Sequence, residues 1–183
     1  MSEVEVPIES TEERINEAAE KAGQGWISGV ALYSALLAAM AAVTAMLAGH
    51  HSDHAMIEQI RASDQWGYYQ AKGIKAAILA SKLHLLNSGG KELAEKDLNK
   101  TERYKADQEN ISEQAKELEA KAERHLALHS QLARSVTFFQ VGIAVAAISV
   151  LTRRRRYWFV SMGFALVGII FFAVALAQGA LGL

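Results

Sequence analysis

The sequence predicts an all-α membrane protein. Three transmembrane helices are expected, with a long antiparallel helical hairpin, a coiled-coil stalk, between the first and the second. Three observations carry this. Residues 26–49 contain no Asp, Glu, Lys, Arg or His, and two further uncharged stretches lie near the C-terminus, separated by four arginines. The central segment is dense in Lys and Glu and has one turn-like stretch, Asn87-Ser88-Gly89-Gly90. The chain has a single proline, Pro7, so no later helix meets a breaker.

Residues 1–25 form an acidic tail, with seven glutamates against Arg14 and Lys21. Ser10 and Glu13 fit a capping box, and Gly23 and Gly25 fit a helix stop, which predicts a short helix over residues 11–22. No basic region precedes an early apolar core, as a cleavable signal peptide requires.

Residues 26–49 are 24 in number. As a helix they reach about 36 Å, against a bilayer core of about 30 Å. Gly25/Gly29 and Ala31/Ala35/Ala39 recur at four-residue spacing, which lets a neighbouring helix approach closely. Residues 136–152 and 157–183 give the second and third spans. Arg153, Arg154, Arg155 and Arg156 between them cannot sit in hydrocarbon and must mark a water-facing loop. Short basic loops stay in the cytoplasm, so the N-terminus is expected inside and the hairpin outside. Trp26, Tyr157 and Trp158 then share one aromatic belt. Beyond topology, the arginine run suits an anionic lipid head group.

The hairpin is expected over residues 50–135, with thirteen basic and thirteen acidic side chains and the turn at 87–90. In its second arm Tyr104, Ile111, Leu118, His125 and Leu132 recur every seven residues, with Ala115, Ala122 and His129 as the alternate layer. In its first arm Ile57, Ala71, Ile78 and Leu85 keep that period, supported by Ile60 and Ile74 and interrupted by Asp64. The turn makes opposed residue numbers sum to roughly 177–179. Gly73 then faces Tyr104, and Trp66 lies opposite Ile111. Trp66, Tyr68 and Tyr69 are read as filling a wide packing layer, with a ligand platform as the sharper alternative.

His50/His54 and His125/His129 are i, i+4 pairs, and the turn places them level with each other. Four converging imidazoles suit Zn²⁺, Cu²⁺ or Ni²⁺, with Asp53 as an outer partner. The alternatives are a protonation-sensitive layer and ordinary packing histidines. The chain has no cysteine, which removes disulfides and thiolate ligands.

Asp64-Gln65-Trp66-Gly67-Tyr68-Tyr69-Gln70-Ala71-Lys72-Gly73-Ile74-Lys75, Leu151-Thr152-Arg153-Arg154-Arg155 and the pair Tyr157-Trp158 resemble the bacterial membrane family known as domain of unknown function 4337. The resemblance covers nearly the whole chain, and the acidic tail matches least. It implies a bacterial membrane protein, expected from its spans and basic loop to be a multi-pass protein of the inner membrane, and supplies no functional residues.

No paired carboxylates, nucleophile with base, or phosphate-binding glycine loop stands out, so an enzyme is not expected, nor is a resident cofactor or a nucleic-acid partner. The uncharged spans disfavour ion-coupled transport. The leading expectation is a structural or interaction protein whose helical stalk self-associates or meets an envelope partner. A metal- or pH-responsive sensor acting through the histidines is the alternative, and an oligomeric channel lined by span hydroxyls is a second.

Overall fold

The computed structural model describes residues 8–90 and 95–181, with side chains from Gly25 to Ala180 within that range. Every regular element in this range is helical: α1 (Ile8–Ser88), α2 (Glu95–Thr152) and α3 (Arg155–Leu181). Each is long and apolar enough, over part of its length, to cross a membrane. The acidic residues 1–7, the expected start of the second arm at 91–94 and the end of the third span at 182–183 lie outside the described residues.

The expected short N-terminal helix is corrected. Helix α1 begins at Ile8 and passes through Gly23 and Gly25 without a break. A glycine costs a helix about 1 kcal/mol relative to alanine, which does not stop it unless a cap or proline supplies another conformation. Ser10 accordingly lies inside the helix and not at its cap.

The helix ends follow their turn chemistry. After α1, Gly90 takes a left-handed backbone (φ 67°), and its N–H donates to Asn87 O at 3.1 Å. After α2, Arg153 takes the same region (φ 52°). The Arg154 N–H reaches Ser149 O and the Arg153 N–H reaches Val150 O, both at 3.2 Å. This is the Schellman arrangement, here with arginine where glycine is usual.

The helices contribute to two compact units, one of residues up to 47 and from 131, the other of residues 48–130. In the first unit Leu37, Ala41, Phe139 and Ala165 form the core, flanked by Tyr33, Met40 and Ile143. Buried hydroxyls join its helices. Ser135 Oγ donates to Gly168 O at 2.8 Å, and Ser161 Oγ donates to Gly142 O at 2.7 Å. Tyr33 Oη lies 3.2 Å from Ser161 Oγ, so one serine links all three helices. Apolar side chains such as Leu36, Met46, Phe159 and Ile170 point outward.

In the second unit α1 meets α2 along two heptad tracks. On α1, residues 51, 55, 58, 62, 65, 69, 72, 76, 79, 83 and 86 are all buried or half-buried. On α2 the track runs through Tyr104, Ile111, Ala115, Leu118, Ala122 and His125, as its seven-residue period predicts. The track expected on α1 is corrected. Ile57, Ile60, Ala71, Ile74, Ile78 and Leu85 are exposed. The inner track is less apolar but carries Ala55, Ala62 and Ala76. Small residues opposite Ala115 and Ala122 permit a close approach that isoleucine would block.

Gly168 and Gly163, both on α3, make a matched test. A Cβ on Gly168 would lie 2.6 Å from Phe139 Cε1 and 3.3 Å from Ser135 O, whereas one on Gly163 meets nothing within 4 Å. Phe139 is fully buried and cannot swing away. Gly168→Ala is therefore expected to lose about 1–3 kcal/mol by overpacking. Gly163→Ala should hold or gain up to about 1 kcal/mol. Thermal unfolding in mild detergent measures both.

Candidate functional site

Two groups of side chains stand out in the second unit. The first surrounds Trp66. Its ring meets Tyr69 edge-on at 5.5 Å, and its Nε1–H donates to Glu119 Oε1 at 2.8 Å. Six residues on, Lys72 Nζ bonds Asp107 Oδ2 at 2.7 Å and sits 5.3 Å and 5.5 Å from the ring centres of Tyr68 and Tyr104. The Asp107 and Tyr68 hydrogen bonds raise the lysine pKa, and the same lysine lowers that of Asp107. Gly73 faces Gln108, whose Nε2 lies 2.9 Å from where a Cβ would sit. The expected packing residues Trp66, Tyr69, Gly73 and Tyr104 are thus half-buried, and Ile111 is buried. Glu119, Asp107, Gln108 and Lys72 were not anticipated. Lys72 and Gln108 fall on the heptad tracks themselves, a signal that composition hides because both residues look like surface.

The second group is a stack of imidazoles. His50 meets His54 edge-on at 4.5 Å, and His54 stacks on His125 at 5.2 Å. His51 Nδ1 lies 3.0 Å from His125 Nδ1. A contact between two such nitrogens needs one donor and one acceptor, so it holds one proton and not two. His129 stands apart from the stack, its Nδ1 2.8 Å from Ala48 O, to which it can only donate. Sequence spacing indicated His50, His54, His125 and His129. The structure gathers the first three, adds His51 and turns His129 to a backbone carbonyl. His51 was legible only on the inner track, four residues before Ala55. Among the described residues, no three or more His, Asp or Glu side chains are arranged to hold a metal ion.

The basic turn brings a third set together in the first unit. Trp26 and Trp158 stack at 6.4 Å, the Arg155 guanidinium lies 5.7 Å from the Trp26 ring, and that of Arg156 lies 5.1 Å from Tyr157. Arg153 and Arg154 are exposed. Such pairing of guanidinium with aromatic faces suits a polar–apolar boundary. Of the span hydroxyls, Ser34 donates to Val30 O and Thr44 to Met40 O, both within α1.

Helices, buried hydroxyls and aromatic boundary together define a protein that is all-helical among the described residues, with three helices there long and apolar enough to span a membrane. The chain belongs to the family described as "Domain of unknown function (DUF4337)", matched over residues 26–178. No curated protein and no solved structure matches the chain.

Two outcomes follow from the α1–α2 contacts. Burial, then the neighbouring His125, His50, His54 and His129, hold the His51 pKa below its ordinary 6.5. A folded-state pKa below the unfolded one contributes stability that is present above pH 6.5 and is lost as pH falls through the folded value. The unfolding midpoint should therefore drop between pH 7.5 and 5.5, and His51→Gln should flatten that dependence. Trp66→Phe keeps an aromatic ring, though a smaller one, and removes the bond to Glu119. It should cost about 1.5–3 kcal/mol, the usual worth of a hydrogen bond to a charged group, read by urea unfolding.

Proposed function

We propose that this protein is a structural or interaction protein of a bacterial inner membrane. In this reading residues 26–49, 136–152 and 157–183 are its spans, and an antiparallel helical hairpin between the first two is what it presents. The observation that carries the reading is the outer face of α1 in the second unit. Ile60, Ile74, Ile78 and Leu85 are each more than half exposed there, on a segment too charged to lie in lipid. Apolar side chains displayed on a polar helix pair mark an interaction surface. The antiparallel pairing is supported by contacts whose numbers run oppositely along the two helices: Lys82–Asp97, Lys72–Asp107, Trp66–Glu119 and His51–His125.

The basic turn sets the orientation, with the arginines and the N-terminus in the cytoplasm and the hairpin outside. Lipid is the first partner, through the exposed apolar side chains of the spans and the guanidinium groups of residues 153–156. An envelope protein or another copy of the chain is the second.

A second reading, that protonation tunes the hairpin, is favoured by one contact. The His51–His125 bond exists only while one of the two rings is neutral, so acid on the outer side would break the α1–α2 pairing beside the first span.

The topology is open to direct test because the chain has no cysteine of its own. Ser88→Cys and Thr152→Cys variants are exposed to an impermeant maleimide in spheroplasts. Ser88→Cys should label in intact spheroplasts and Thr152→Cys only after lysis. The reverse order would invert the reading, and equal labelling of both would remove it.

A further inference from the structure

Helix α1 carries two heptad tracks in the second unit. The inner one, through Ala55, Ala62, Leu79 and Leu86, meets α2. The outer one runs through positions 57, 60, 64, 67, 71, 74, 78, 81 and 85, all of them exposed. The two tracks are offset by two residues, a rotation of about 200° at 3.6 residues per turn, so they lie on opposite sides of the helix. The outer track holds more of the large aliphatic side chains, five against Leu79, Leu83 and Leu86 on the inner one. Ile57 is 44% exposed, Ile60 56%, Ile74 62%, Ile78 65% and Leu85 72%. Its distal end opens onto a shallow groove lined by Ile78, Ser81, Lys82, Leu85, Leu86 and Gly89.

We propose that this outer track is the face on which copies of this chain associate, helix α1 against helix α1, parallel and level. The proposal rests on the reading above, in which the segment lies outside the bilayer. Its occupant follows from three arguments. A sustained three–four spacing is the requirement of a helix that packs along another helix, and a globular or loop partner imposes no such period. In every copy α1 leaves the bilayer in the same direction, so two such tracks meet parallel with like positions at one height. Isoleucine at 57, 60, 74 and 78 then meets isoleucine, and the small residues Gly67, Ala71 and Ser81 meet each other.

The area is also sufficient. From Ile57 to Leu85 the track is about 42 Å long, and a helix is about 10–12 Å wide, which gives roughly 400–500 Å² per copy. Two faces approach the roughly 1,000 Å² of a specific interface. A shared membrane removes part of the orientational cost that free partners must meet. Asp64 is the one charged residue on the track. A level pairing sets it against its own copy, so like-charge repulsion weakens the association at that one layer.

Single-cysteine variants decide the matter. Ile60→Cys and Ile78→Cys on the outer track are compared with Leu79→Cys on the inner track and Glu113→Cys on exposed α2. Oxidation of the full-length protein in native membranes should cross-link the first two into like-with-like dimers at least tenfold faster than the controls. Equal rates at Glu113 would reduce the effect to collision and overturn the proposal. Efficient pairing of Ile57→Cys with Leu85→Cys would overturn the parallel register. The double variant Ile74→Lys/Ile78→Lys, checked for helix content by circular dichroism, should shift the oligomer to monomer by native mass spectrometry in mild detergent. An oligomer that survives would place the association elsewhere, and a cross-link only to a protein of different mass would replace this occupant with another. If Ser88→Cys labels from outside and no cross-link forms at 60 or 78, this inference alone fails. If the labelling itself fails, the reading beneath it fails first.

Discussion

The second unit depends on how closely α1 and α2 approach at alanine. Ala62 and Ala115 are fully buried, and Ala122 nearly so, although each side chain is a single methyl. Such residues bury little area individually, at about 25 cal/mol per Å². What they allow is short reach. At that separation Trp66 can donate to Glu119, Lys72 can bond Asp107, and His51 can meet His125. A seam of isoleucine would hold the helices further apart, and those polar contacts would lose their geometry. The polar ladder is therefore a consequence of the alanine layers, and it fixes the register that small apolar side chains alone leave weakly specified.

This also explains what could be read in the sequence. Helix, turn and uncharged stretches were legible because length, the absence of proline after Pro7, and the run of four arginines each admit few alternatives. The α2 track was legible because Ile111, Leu118 and Leu132 keep one seven-residue period through a stretch rich in Lys and Glu. The α1 track was not, because two heptad tracks compete there and the more apolar one is turned outward. Choosing by hydrophobicity selected Ile57 and Ile78. Choosing by size match to Ala115 and Ala122 would have selected Ala55, Ala62 and Ala76, and with them His51. The helix stop at Gly23 and Gly25 failed for a different reason: glycine permits a turn, but here nothing requires one.

In the first unit the same economy of side chains serves another solvent. Among apolar chains surrounded by lipid, burial of more hydrocarbon offers little preference for one partner over another. Specific fit comes from Ser135 and Ser161, whose hydroxyls donate to Gly168 and Gly142 carbonyls on a neighbouring helix. Both acceptors belong to glycine; at Gly168 the missing Cβ leaves room for the approach, whereas a Cβ on Gly142 would make only ordinary contacts from 3.5 Å. The spans are thus positioned by hydroxyl–glycine pairs and the second unit by alanine layers with charged pairs. In both, close backbone approach comes first and the polar contact follows from it.

Arg153 shows what the chain gives up at its basic turn. An L-residue in the left-handed region pays roughly 1–2 kcal/mol that glycine would avoid. A guanidinium occupies this corner all the same. The local helix end would be relaxed by removing the side chain, but the loop would lose a quarter of its positive charge. In the proposed topology, conformational strain at one residue is the counterpart of electrical anchoring of two hydrophobic segments, which would set a stabilising substitution at this bend against a working protein.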